Sequence, residues 1–260
     1  MGHMHHMSGG WITPVLSYVM AVVGAALGLR CTVRALAAQG RSRRSWLITA
    51  SAAIGSGIWT MHFIAMLGYD VDGTAIRYDV PLTLLSLLVA IVVVGAGVFV
   101  AGYGRSRVRS IAFGGLGTGL GVAAMHYIGM AAVRLNGDTS YDPGLVALSV
   151  VIAVVAASAA LWAALSVQGP LAAAVASLVM GLAVSSMHYT GMAAVGVQVR
   201  TGTAALGGAS ATSFILPLAV VLGSFLFLTC AFVALSPTAR ERAESEAAAR
   251  PLHEVELPVG

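Results

Sequence analysis

The stretch PLTLLSLLVAIVVVGAGVFVAGY, Pro81–Tyr103, contains no charged residue. A hydrocarbon layer of about 30 Å is crossed by roughly 20 residues at the 1.5 Å rise of an α-helix, so this run reads as a membrane span. Six further apolar runs of sufficient length flank it, at Ile12–Leu36, Trp46–Gly68, Ile111–Arg134, Gly144–Val167, Pro170–Val197 and Ser213–Ser236. The whole chain of 260 residues is 58% hydrophobic and 9% charged, far below the roughly 25% charge of soluble domains. The expected fold is all-α: a polytopic membrane protein of seven transmembrane helices.

Charge divides the connectors. Asp70, Asp72, Asp79, Asp138 and Asp142 lie in two of them, and every Glu follows Pro237. Arg41, Arg43 and Arg44 after the first span, and Arg105, Arg107 and Arg109 after the third, mark the opposite side. The positive-inside rule places those arginines in the cytoplasm, with the N-terminus outside and the C-terminus inside. The net charge of +4 then reports orientation, and nucleic acid is not an expected partner. Three regions follow: a Met/His-rich segment 1–10, a membrane domain 11–236 and a cytoplasmic tail 237–260. The first span lacks a basic n-region and reads as a retained helix. Cys31 and Cys230 read as small packing residues on the reducing side. The chain has no lysine, which excludes a retinal Schiff base.

One segment occurs three times without gaps. Gly55-Ser56-Gly57-Ile58-Trp59-Thr60-Met61-His62-Phe63-Ile64-Ala65-Met66 aligns with Gly119 to Met130 and with Gly181 to Met192. The shared pattern is Gly-x-small-β-branched-x-x-Met-His-aromatic-x-small-Met. Each copy falls on an even-numbered span, so the domain reads as three parallel two-helix repeats and a final helix, with Pro81 and Pro143 opening odd spans. All three Met-His steps then lie at similar depth, with His62 and His126 about 10 Å below the outer helix ends.

At about 100° per residue, His62 shares a face with Met66, His126 with Met130, and His188 with Met192. Gly55, Gly119 and Gly181, seven residues earlier, are about 20° away and allow close helix approach, and Gly129 and Gly191 extend the small-residue stripe. The histidine faces are expected to meet on a common axis. A buried ionisable group in hydrocarbon persists where it has a partner or a function. An interhelical hydrogen bond would satisfy one such histidine, whereas His coupled to Met at chelating spacing in three copies points to a metal. Imidazole and thioether suit copper; calcium and magnesium want oxygen ligands, and zinc does not use thioethers. Met61, Met125 and Met187, about 100° round each helix, read as an outer shell or a second soft site. Tyr127 and Tyr189, replaced by Phe63 in the first copy, read either as hydrogen-bond donors to the site or as interfacial anchors. His3, His5 and His6 form a tract that could collect metal or could be a tag. A haem held by two of the three histidines fits the odd count less well.

The runs Met125-His126-Tyr127-Ile128-Gly129-Met130 and Met187-His188-Tyr189-Thr190-Gly191-Met192, with the variant Met61-His62-Phe63, resemble the MHYT domain of bacterial membrane proteins over roughly Trp11 to Pro237. The resemblance implies a bacterial inner-membrane sensor in which copper, held by His62, His126, His188 and neighbouring methionines, detects O2, CO or NO. Family members are often joined to cytoplasmic signalling domains. About 24 residues follow the seventh span here, too few for such a domain, so a signal is expected to pass to a separate partner or through that tail. No catalytic residues are assigned, and no enzymatic activity is expected. The competing reading is an extracytoplasmic copper-delivery or transport protein. Translocation is disfavoured because no polar path or intramembrane carboxylate continues through the inner halves of the motif helices.

Overall fold

Each expected span is one helix in the computed structural model, which describes residues 10–166, 169–200 and 206–236. The helices are α1 (Ile12–Ala37), α2 (Gly40–Leu67), α3 (Val80–Tyr103), α4 (Arg107–Ala131), α5 (Pro143–Ser166), α6 (Pro170–Ala193) and α7 (Leu216–Leu235). All seven are long and apolar enough to cross a membrane, α7 together with the π-helical turn Ala211–Ile215 that leads into it. The chain is a polytopic all-α membrane protein of three two-helix repeats and a final helix.

The first six helices pack in a closed ring in chain order, with α6 returning to α1, and α7 lies outside it against α1 and α2. Lipid offers no hydrophobic drive for helices to associate, so close backbone approach has to supply the contact. The repeated glycines provide it. A Cβ on Gly55 would fall 2.7 Å from Ile91 Cα on α3, one on Gly119 would fall 2.7 Å from Val154 N on α5, and one on Gly181 would fall 3.2 Å from Val22 N on α1. Each motif helix therefore docks on the odd helix of the following repeat, and the third such contact closes the ring.

The motif ends of the helices carry a cap made of paired connectors. Strand β1 (Arg77–Tyr78) pairs with β2 (Val133–Arg134), and β3 (Gly137–Tyr141) pairs with β4 (Val195–Val199), both antiparallel. Tyr78 also exchanges two backbone hydrogen bonds with Ala209. One aspartate in each pairing ties strand to helix. The Asp79 N–H donates to Ala132 O at 2.8 Å while its carboxylate accepts from Leu82 N, and Asp142 repeats this with Ala194 O and Leu145 N. Arg134 pairs with Asp79 at 2.8 Å. Its hydrogen bond, aided by the Leu82 amide, holds the Asp79 carboxyl below the usual carboxylate range. Burial pushes the Tyr69 phenol in this cap up to about 12, so it stays neutral.

Several boundaries differ from expectation. Helix α2 begins at Gly40, so Arg41, Arg43 and Arg44 stand in its first turns and not in a connector. The physical reason is the two-residue link Ala38-Gln39, and Arg43 donates from Nε to Ala35 O at the end of α1. Arg107 and Arg109 likewise lie inside α4. Helices α4 and α6 stop short of Arg134 and Val197 because those residues belong to strands. Each histidine is consequently five residues from the last helical residue of its span. That is about 7.5 Å, against the expected 10 Å. The tract containing His3, His5 and His6 and the tail 237–260 fall outside the described residues.

The glycine contacts make a paired prediction. Gly119→Ala sets a methyl against the α5 backbone and should lower the apparent Tm in detergent, whereas a Cβ at Gly117 on the same helix meets nothing within 4 Å. Gly117→Ala should leave the Tm unchanged or raise it, since alanine favours a helix by about 1 kcal/mol over glycine. Equal effects of the two substitutions would contradict the packing described.

Candidate metal centre

His62, His126 and His188 come from α2, α4 and α6 and are all buried. Their Nδ1 atoms form a triangle with sides of 3.0 Å (His62 to His188), 3.2 Å (His126 to His62) and 3.3 Å (His188 to His126). The rings stand nearly perpendicular to one another, at 83 to 86°, like blades about the repeat axis. Each blade is steadied by the aromatic residue that follows it: Phe63 at 4.6 Å between ring centroids, Tyr127 at 4.8 Å and Tyr189 at 5.0 Å.

The outer ends of two rings explain two glycines. A Cβ on Gly129 would meet His62 Nε2 at 2.6 Å, and one on Gly191 would also meet His126 Nε2. These glycines therefore back imidazoles, where a stripe for helix-to-helix packing was expected. The equivalent position in the first copy is Ala65. The Nε2 atoms of His62 and His126 are buried with no hydrogen-bond partner among the described residues.

This geometry poses a proton problem. A neutral imidazole carries one N–H. If all three sat on Nδ1, three hydrogens would collide at the centre. If all three sat on Nε2, three lone pairs would face one another and the N–H groups of His62 and His126 would have no acceptor. A mixed arrangement with one Nδ1–H shared by two acceptors leaves at least one of those two Nε2–H groups unsatisfied, at a cost of about 1–3 kcal/mol, and only Nδ1–H on both His62 and His126, donating to His188 Nδ1, leaves neither of those Nε2 atoms protonated. A cation at the centre takes up all three lone pairs, with the Nε2–H groups of His62 and His126 still lacking an acceptor among the described residues. Nitrogens at these separations lie about 1.8 Å from their common centre, close to imidazole–metal bond lengths of about 2.0–2.1 Å. The three side chains are a metal-competent group by ligand type and spacing.

Methionine surrounds the triangle on one side. Met66, Met130 and Met192 belong to one apolar cluster with Tyr69, Val133, Val195 and Val197, between the histidines and the β-stranded cap. Met61, Met125 and Met187 are buried in the main core instead, where they fill space; Met187 also lines a small cavity. That cavity, about 50 Å³, lies toward the arginine end and is lined by Ile58, Val122 and Val184, one turn below each histidine. These are the β-branched positions of the repeated motif, and small side chains of α1 and α5 complete the lining. The β-branched spacing was visible in the sequence, but nothing there told a cavity lining from ordinary core.

The tyrosines behave differently from one another. Tyr127 hydroxyl is 2.7 Å from Ser149 Oγ on α5, which ties the motif helix to its neighbour. Tyr189 hydroxyl is buried with no hydrogen-bond partner among the described residues. Ser149 was not singled out in the sequence; its position two residues into the second turn of α5 carries no motif signal.

Comparison with known proteins agrees with the repeat. The family model described as "MHYT: Bacterial signalling protein N terminal repeat" matches twice, at residues 55–114 and 119–177. The chain is 41% identical over 183 residues to the bifunctional diguanylate cyclase/cyclic di-GMP phosphodiesterase MucR of Pseudomonas aeruginosa, covering 68% of this chain and 27% of the relative. It is 40% identical over 210 residues to the cyclic di-GMP phosphodiesterase NbdA of the same organism, covering 78% and 27%. Signaling protein YkoW of Bacillus subtilis is 32% identical over 196 residues, 69% of this chain and 23% of that protein. The chain thus spans about a quarter of the length of the curated relatives it matches. No solved structure matches. The two family-model matches, and the relatives that share the same membrane region, show that this chain belongs to the MHYT family of bacterial membrane signalling proteins.

Proposed function

We propose that the chain is a membrane sensor whose His62, His126 and His188 hold one copper ion through Nδ1, with Met66, Met130 and Met192 as weak neighbouring ligands, and that it reports a diatomic gas or a redox state. The observation that carries this reading is the Nδ1 triangle of 3.0–3.3 Å, buried with no counter-charge beside it among the described residues. Copper is favoured by the donor set of imidazole and thioether, with no carboxylate or thiolate in the group. When bound, the ion would supply a one-electron redox couple and affinity for O2, CO or NO.

The protein's own residues account for orientation and transmission. Phe63, Tyr127 and Tyr189 fix the ring planes. Gly129 and Gly191 leave no side chain between imidazole and helix backbone, so a change in imidazole spacing passes directly to α4 and α6. The apolar cavity beneath the triangle offers a dry volume suited to an uncharged diatomic molecule. Under the positive-inside rule the histidine end faces outside and the arginine end faces the cytoplasm, where a separate signalling partner would read the helix positions. The methionine cluster between the triangle and the cap favours copper delivery as the second reading, since it lies on a route from outside.

Two experiments test the copper site. Full-length protein with residues 1–7 removed should purify with about one equivalent of copper, and His62→Ala, His126→Ala and His188→Ala should each lose it while keeping their helicity, because each removes one of three equivalent ligands. Copper absent from the parent, or kept by all three folded variants, contradicts the proposal. Gly191→Ala, which presses on the His126 ring, should weaken copper binding by about tenfold or more, about 1.4 kcal/mol. An unchanged affinity would show that the ring position is not what sets binding.

A further inference from the structure

The arginine end of the bundle holds a feature the metal site does not use. A basin of about 320 Å³ opens between the ends of α1, α2, α3, α4 and α5, lined by Arg43, Arg105, Arg107, Tyr103, Ser110 and Leu165 among others. Arg43 is fixed in place, with Nε on Ala35 O at 3.2 Å and its guanidinium 5.5 Å over the Tyr103 ring. Arg107 donates to the Ser166 hydroxyl at the end of α5. Arg105 has no hydrogen bond or ion pair among the described residues. A guanidinium has five N–H donors, so most donors in this basin are unspent.

Among the described residues no carboxylate answers these charges. All five aspartates lie at the histidine end, and Arg134 and Arg200 pair with two of them there. Among the described residues the arginine end carries only positive charge. Beside the basin the bundle surface is apolar and exposed: Val108 and Phe113 on α4, and Trp162 on α5. A ligand matching both features has an anionic phosphate to fill the basin and acyl chains to lie along α4 and α5. Basic pockets between helix ends suit phospholipid headgroups, and arginine suits phosphate oxygens.

We propose that the basin of Arg43, Arg105 and Arg107 is a binding site for the phosphate of an anionic glycerophospholipid. The bound lipid bridges α2 with α4 at the end of the bundle opposite the metal-competent histidines, and so makes their relative position sensitive to the composition of the membrane.

The test is native mass spectrometry of the full chain in detergent, titrated with phosphatidylglycerol, phosphatidylcholine or inorganic phosphate. Phosphatidylglycerol should bind tightly and phosphatidylcholine weakly. Combined Arg43→Gln, Arg105→Gln and Arg107→Gln should weaken phosphatidylglycerol by about fivefold per charge removed. Arg41→Gln, Arg44→Gln and Arg109→Gln, an equal loss of charge outside the basin, should leave binding intact. Arg105→Gln alone touches no folding contact and should still show its share of the loss. Equal losses in the two triple variants, or equal binding of the two lipids, overturns the proposal. So does complete displacement of lipid by inorganic phosphate, which would assign the basin to a soluble phosphate compound. Binding that emerges only after deletion of residues 237–260, with their five glutamates, would assign it to the tail and overturn the lipid assignment as well.

Discussion

Three imidazoles brought within 3.3 Å of one another in the apolar part of a bundle are the constraint around which the rest of the structure is arranged. Such a group is costly in hydrocarbon, because ionisable side chains have to be desolvated and their lone pairs and protons matched. Holding it together requires the three motif helices to agree in depth and in rotation. Depth is set by the cap, where Asp79 and Asp142 each tie the start of an odd helix to the end of the following motif helix. Rotation is set by Gly55, Gly119 and Gly181, which seat each motif helix on the next odd helix. The glycine contact occurs three times and closes the ring, and the aspartate contact occurs twice, in the second and third repeats.

The same threefold logic separates the two ends of the molecule. Around the triangle the side chains are soft or apolar, with Met66, Met130 and Met192 above and Ile58, Val122 and Val184 below. Among the described residues the carboxylates are confined to the cap, and the arginines of the opposite end have no carboxylate partner. A change at the triangle therefore has one mechanical outlet, the positions of α2, α4 and α6, and no competing ion pair within the membrane among the described residues.

Much of this was legible in the sequence, for physical reasons. Seven apolar runs and a gapless triplicate motif dictate spans and repeat order, and a 3.6-residue period places His62 and Met66 on one face. The cap was not legible, because strands of two to five residues held by backbone bonds between distant connectors leave no periodicity in side-chain type. Gly129 and Gly191 were recognised as small-residue positions, but whether a helix or an imidazole fills the space beside them depends on which way the ring turns about the axis. Arg43 was assigned to a connector because hydropathy marks where the membrane ends, and α2 continues beyond it. The Ser149 partner of Tyr127 was not legible, because Ser149 lies outside the repeated motif.

The central claim is that one cation is held by three histidines from three equivalent helices. X-ray absorption at the copper edge of the loaded, tract-deleted protein measures this most directly. The account predicts about three nitrogen scatterers near 2.0 Å with the multiple-scattering signature of imidazole, and no such copper signal in His126→Ala, which loses the ion. A spectrum dominated by sulfur or oxygen, or the same spectrum retained by that variant, would contradict it.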